Sequence, residues 1–147
     1  MEECYSCLSI SGERRISPGP TIYAGEHWLV EHAYPVGMRG WLVIVLRRHA
    51  EAVHELSGEE FSELAGLVEK SAKALREHQG CEKEYVACFS EAEHFHHVHF
   101  HVIAKSAGLP PELAGPGIFR LLKVSEQEAV APTEIRELCE QLQEYFT

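Results

Sequence analysis

Three histidines alternate with apolar residues in His97-Val98-His99-Phe100-His101-Val102-Ile103, and no other stretch restricts the fold as much. Successive side chains on a β-strand point to opposite faces. The spacing therefore predicts a strand over 97–103 with His97, His99 and His101 on one face and Val98, Phe100 and Val102 anchoring the other. His94 and His96 lie just upstream, so half of the chain's 10 histidines fall between positions 94 and 101. Imidazole is a poor strand former, and neighbouring imidazolium ions repel one another. A merely solvated edge would more cheaply carry Thr, Lys or Glu, so the row marks a site.

The rest of the chain bounds what that site can be. A length of 147 residues predicts a single domain over 1–147, burying about two-thirds of the unfolded surface. The formal net charge of -10 argues against a nucleic-acid polymer as partner, because such affinity comes from Lys and Arg neutralising many phosphates. One small phosphate compound remains compatible with it. All 23 acidic residues are glutamate. Without Asp or Asn, the Ser-His-Asp and Cys-His-Asn triads, aspartyl dyads and EF-hand loops are excluded. No apolar run reaches the ~18 residues that span a bilayer, and MEECYSCLSI lacks a signal-peptide pattern. The expected setting is cytoplasmic, with no membrane partner. Five cysteines, an odd number, then point to reduced thiols or metal ligands.

Taken in order, Cys4-Tyr5-Ser6-Cys7 is a C-x-x-C whose thiolates can reach one tetrahedral metal from a turn. No helical pattern follows it, which counts against a redox dithiol, and the Gly/Pro-rich segment through Pro20 reads as loop. Thr21 to Ala24 and Trp28 to His32 read as a hairpin around Gly25-Glu26. Trp41 to Leu46 is a continuous apolar run, expected as a central strand covered on both faces. It delivers Arg47-Arg48-His49, with His54 close behind; a surface-loop placement is the competing reading for both histidines. Ser57-Gly58-Glu59-Glu60 has the form of a capping box. It opens a helix whose stripe runs Phe61, Leu64, Ala65, Val68, Ala72 and Leu75 and which Gly80 stops. Glu84 to Ser90 is a further strand, antiparallel to the histidine strand because a short loop joins them. Lys105 to Gly117 is a long Pro/Gly-rich loop placed to act as a lid or substrate wall. Ile135, Leu138, Cys139, Leu142, Tyr145 and Phe146 form a final helical stripe. The fold class is α+β: an antiparallel sheet of about five strands, one long helix packed on it, and a C-terminal helix.

A row of imidazoles permits two chemistries. A neutral ring nitrogen can attack phosphorus while its neighbours donate to phosphate oxygens, or the imidazoles can hold a zinc that activates water. Side chains two apart on a strand sit about 7 Å from one another. A single-strand metal triad is therefore strained, which favours the nucleophile or a metal that takes only one of the three.

In pattern, His97-Val98-His99-Phe100-His101-Val102-Ile103 resembles the signature of the histidine triad (HIT) superfamily of nucleotide hydrolases and transferases. The early C-x-x-C, the hairpin, Gly40 to Val45 running into Arg47-Arg48-His49, the helix start at Glu55 to Glu60 and the strand before the triad follow the same order. The likeness extends roughly from Cys4 to Lys105.

It implies a nucleotidyl-histidine intermediate on the α-phosphate of a small nucleotide, with His99 as nucleophile. His101 would bind a phosphate oxygen or help protonate the leaving group, and His97 would brace the network. For the zinc-containing branch it implies a structural zinc on Cys4, Cys7, His49 and His97. Ala92-Glu93-His94-Phe95 stands where the family often has Gly-Gln-Ser/Thr-Val, making His94 the candidate phosphate contact. The family's ribose-binding Asp or Asn falls at His32, and its fourth active-site histidine at His49 or His54. The implied activity is hydrolysis of a nucleotide phosphoanhydride or phosphoramidate, led by dinucleoside polyphosphates such as diadenosine tetraphosphate. Phosphorolysis or nucleotidyl transfer through the same intermediate is one alternative, and a non-catalytic zinc-stabilised binding protein another. A homodimer is also implied.

Overall fold

The computed structural model describes residues 2–147. Strands β1 (Tyr23–Ala24), β2 (Trp28–His32), β3 (Trp41–Leu46), β4 (Lys83–Ala87) and β5 (His99–Lys105) form one antiparallel sheet in the order β1-β2-β3-β5-β4. Three α-helices accompany it: α1 (Tyr5–Ser11), α2 (Gly58–Gln79) and α3 (Pro132–Leu142). This is the expected α+β architecture. Among the described residues, no helix is long and apolar enough to cross a membrane.

Strand parity decides what each face of the sheet does. Trp28, Val30 and His32 of β2 lie across from Leu46, Ile44 and Leu42 of β3, which continue to Phe100 and Val102 of β5. Apart from Phe100, which is half-buried, these side chains are buried, and α2 packs over them with Leu64, Leu67 and Leu75. Each such apolar side chain contributes roughly 1.5–3 kcal/mol on burial. The opposite parity leaves Leu29, Glu31, Val43, Val45, His99 and His101 together on the other face. The expectation that β3 is covered on both sides is corrected here: Val43 and Val45 are only half-buried, because no helix packs over them and they floor a cleft.

The capping box forms as its residues dictate: Ser57 Oγ accepts from Glu60 N, and Glu60 accepts from Ser57 N. Arg48 then clamps the buried Glu60 carboxylate through two nitrogens, at 2.8 and 2.9 Å. The covering stripe is rotated from the expected one. Phe61 is exposed, and Leu67 and Ala74 are buried instead.

Two further expectations need correction. The C-x-x-C does lead into a helix: Cys4 Sγ caps α1 by accepting from Cys7 N, and Gly12 ends it at φ 82. Seven residues are too few to show a hydrophobic period. The segment after β5 is not open loop but folds into 3-10 turns at Pro111–Leu113 and Gly115–Leu121. There a Cβ at Gly117 would overlap the Glu112 carbonyl. These turns carry Phe119 onto Trp41 and His101, at ring distances of 5.2 and 5.0 Å, and so close one end of the open sheet face.

Candidate active site and metal centre

The open face of the sheet, α1, the 89–95 loop and the chain after β5 enclose a cleft of about 710 Å³. His99 and His101, two apart on β5, both line it with rings 5.1 Å apart. His97 departs from the expected row. It precedes the strand, and its buried ring turns away from the cleft toward the C-x-x-C. What it offers the triad is its backbone: the carbonyl of His97 accepts from Nδ1–H of His99 at 2.6 Å.

That hydrogen bond places the His99 proton on Nδ1 and leaves a lone pair on Nε2. Burial holds His99 below its ordinary pKa, against the opposing pull of the His97 carbonyl, so the ring is neutral and nucleophilic near pH 7. His101 has the complementary tautomer. Trp41 Nε1, a donor only, gives its proton to His101 Nδ1 at 2.9 Å, so the His101 proton sits on Nε2. Burial, helped by His99, pushes His101 down to about 3. One nitrogen that can attack and one N–H that can donate therefore stand side by side.

The other predicted contacts sort by geometry. His94 lines the cleft, its ring stacked on Tyr5 at 4.3 Å and its Nδ1 donating to the Glu3 carbonyl at 3.0 Å. His32 reaches the cleft's edge, but its polar atoms are spent on the backbone. Nδ1 donates to Ala33 O at 2.8 Å, and Nε2 accepts from Gly40 N at 3.1 Å. Burial pushes it down to about 4. Both ring nitrogens of His32, expected at the ribose position, are thus engaged by backbone groups. Its parity, shared with Trp28 and Val30, turns it to the helix-covered side. His54, also expected at the substrate, is exposed in the 3-10 turn Val53–Glu55, away from the residues that line the cleft.

Cys4, Cys7, His49 and His97 come together at a second centre. Nδ1 of His97 lies 3.4 Å from Cys4 Sγ, 3.6 Å from Cys7 Sγ and 3.2 Å from His49 Nδ1, and Cys7 Sγ is 3.4 Å from His49 Nδ1. Bonds of ~2.3 Å to sulfur and ~2.0 Å to nitrogen give a tetrahedron with edges of about 3.3–3.8 Å. The four atoms fit that figure. Their outer partners fit too, since His97 Nε2 donates to Leu46 O at 2.6 Å and His49 Nε2 lies 3.0 Å from Glu51 Oε2. Both Nδ1 lone pairs therefore point inward. Burial, then the neighbouring Cys4, pushes the Cys7 thiol up to about 11.

Two residues beside the His99–His101 pair lie outside the sequence reading of the site. From sequence Trp41 reads only as strand core, although its odd-numbered parity with Val43 and Val45 puts it on the open face, against His101 and Phe119. Lys123 lies beyond the region read for chemistry, and only the folded 3-10 segment brings it to the cleft.

Residues 9–110 match the model of the family described as "Scavenger mRNA decapping enzyme C-term binding". The chain belongs to that family, and with it to the histidine triad superfamily. No curated protein sequence matches the chain. Solved structures agree on the fold. A histidine triad protein from Bradyrhizobium japonicum has a TM-score of 0.72 at 20% identity, covering 87% of this chain and 90% of its own. A HIT-like protein from Bartonella henselae described as involved in cell-cycle regulation has 0.70 at 15%, covering 94% and 92%. A zinc-bound histidine triad family protein from Mycobacterium smegmatis has 0.62 at 21%, covering 96% of each chain.

Proposed function

We propose that this histidine triad protein hydrolyses a nucleotide phosphoanhydride or phosphoramidate through a nucleotidyl-histidine intermediate on His99. The observation that carries the reading is the fixed tautomer pair: His99 held by the His97 carbonyl with Nε2 free, and His101 held by Trp41 with Nε2 protonated. His99 Nε2 attacks the α-phosphorus, forming an N–P bond as the P–O or P–N bond to the leaving group breaks; a phosphate chain departs as its anion, and a leaving amine takes up a proton from solvent. The His101 N–H donates to the phosphate oxygens as their charge grows, a contribution typically worth ~2.7–4 kcal/mol. Water then attacks the phosphorus, releasing the nucleoside monophosphate and restoring neutral His99. Dinucleoside polyphosphates are the leading substrate class, and His94 is the candidate phosphate contact at the rim. The matching family's description names an mRNA decapping enzyme; a cap is a nucleotide joined through a phosphate bridge and falls in the same class.

The second centre is assigned to a structural zinc on Cys4, Cys7, His49 and His97. Zinc there would tie α1 to the β3 end and to the segment leading into β5, stabilising the wall that holds His99. The homodimer implied by the resemblance is supported by the uncovered edge strand β4, where Val86 and the following Phe89 are exposed.

Quenching the protein during turnover of diadenosine tetraphosphate and an adenosine phosphoramidate, then mapping the phosphorus adduct by mass, tests the reading. The adduct is expected on His99. His99→Ala should lose several orders of magnitude in turnover while nucleotide binding stays within about tenfold. Near-normal turnover by His99→Ala, or an adduct elsewhere, refutes it.

A further inference from the structure

From the cleft rim we infer a cationic track, Lys123 followed by Arg14, that binds the phosphate chain of the leaving group and so selects polyphosphate substrates over singly phosphorylated ones. This rests on the reading of His99 as the attacking residue. The track is laid on aromatic rings that lead away from the triad. Phe95 stands 6.3 Å from the His99 ring, and the Lys123 ammonium lies over Phe95 at 5.0 Å. Phe95 meets Tyr5 edge-on at 5.6 Å, and the Arg14 guanidinium lies 4.7 Å from the Tyr5 ring centroid. All five side chains line the same cleft.

Both cations are uncommitted. Lys123 has no carboxylate partner among the described residues, and Arg14 has only Glu3 at 3.9 Å, with both side chains mostly exposed. Such a contact contributes little. Neighbouring Arg15, by contrast, is taken up by Glu31, donating at 3.0 and 2.9 Å. Glu91 and Glu93 line the cleft yet pair with neither cation. In a chain of net charge -10, a lysine with no carboxylate partner and an arginine with only a loose one, both on the cleft that holds His99, form a place where an anion is favoured.

The backbone adds an independent sign. Lys123 holds φ 57, a left-handed conformation that costs a lysine energy, and its N–H donates to Pro35 O at 2.9 Å. That bond and the Val36–Leu122 bridge fasten the residue against the cleft wall. Because the cations continue past Phe95 to Tyr5, the anion they fit extends beyond one phosphate.

The test separates this track from the His99 reading. Calorimetric titration with inorganic tripolyphosphate and with orthophosphate needs no turnover. Lys123→Gln and Arg14→Gln should each weaken tripolyphosphate binding about tenfold and orthophosphate binding less than threefold, while Lys123→Arg should bind nearly as wild type does. On substrates, Lys123→Gln should lower kcat/KM for diadenosine tetraphosphate by 10- to 100-fold and for adenosine phosphoramidate by less than threefold; His99→Ala should abolish both. Both cations are exposed, and unchanged thermal unfolding of the variants would exclude a folding effect. Equal losses for both anions and both substrates, or no tripolyphosphate binding by the wild type, overturn the track. Anion discrimination with an active His99→Ala overturns the nucleophile alone.

Discussion

Acid should unfold this protein through its buried histidines, and His32 is where the effect can be isolated. The ring is almost fully buried, with both nitrogens spent on backbone groups, and is pushed down to about 4 by burial. In the unfolded chain it returns to roughly 6.5. Between those values the unfolded state binds more protons. Stability is therefore fully present above 6.5 and is lost as pH falls toward 4. From pH 7 to pH 5 the loss from His32 alone comes to about 2 kcal/mol, against typical domain stabilities of ~5–15 kcal/mol. His32→Leu removes the titrating ring but also the acceptor for the Gly40 N–H. It should therefore cost about 1–3 kcal/mol at pH 7. Urea unfolding of wild type and variant at pH 7, 6 and 5 reads both effects, and the difference between the two proteins cancels every other titrating group. The gap should narrow by about 2 kcal/mol between pH 7 and pH 5. Parallel curves would refute the burial argument.

Two other changes have defined outcomes. Trp41→Phe frees Nδ1 of His101, whose lost partner costs about 1–3 kcal/mol; the acid limb of the pH–rate profile should move upward because His101 can then take a second proton, and an unmoved limb would show that the indole does not set its state. Zinc removal by a chelator, or Cys7→Ser, should lower the thermal midpoint more than it lowers turnover per folded molecule. Metal analysis should return one zinc per chain, and a chelator-insensitive midpoint would refute the assignment.

Much of the fold was legible because the signals were local. The run Trp41 to Leu46 gave β3 with its ends, and the Ser57–Glu60 capping box gave the start of α2. The failures share a physical cause, which is that a side chain's direction depends on where its strand begins and on what covers it. His97 fits the alternating pattern, yet the strand starts two residues later, so its ring is free to turn to the thiols. His32 looked like a ligand contact at a strand end, although Trp28 and Val30 already marked its parity as the core's. Lys123 could not be read at all, because its place beside His99 is made by two 3-10 turns and a backbone bond to Pro35.

His97 serves the candidate nucleophile with an atom that every amino acid possesses. Its carbonyl oxygen orients His99, while its imidazole belongs to the cluster with Cys4, Cys7 and His49. Substitution at this codon thus acts on the cluster with Cys4, Cys7 and His49, and the orienting oxygen comes free with any residue that keeps the same path. A descendant that replaced all four ligands together by a packed apolar plug would keep the carbonyl where it is. One that lost a single member would be left with stranded thiols and imidazoles, so the cluster would be discarded as a block, and the triad could outlive it.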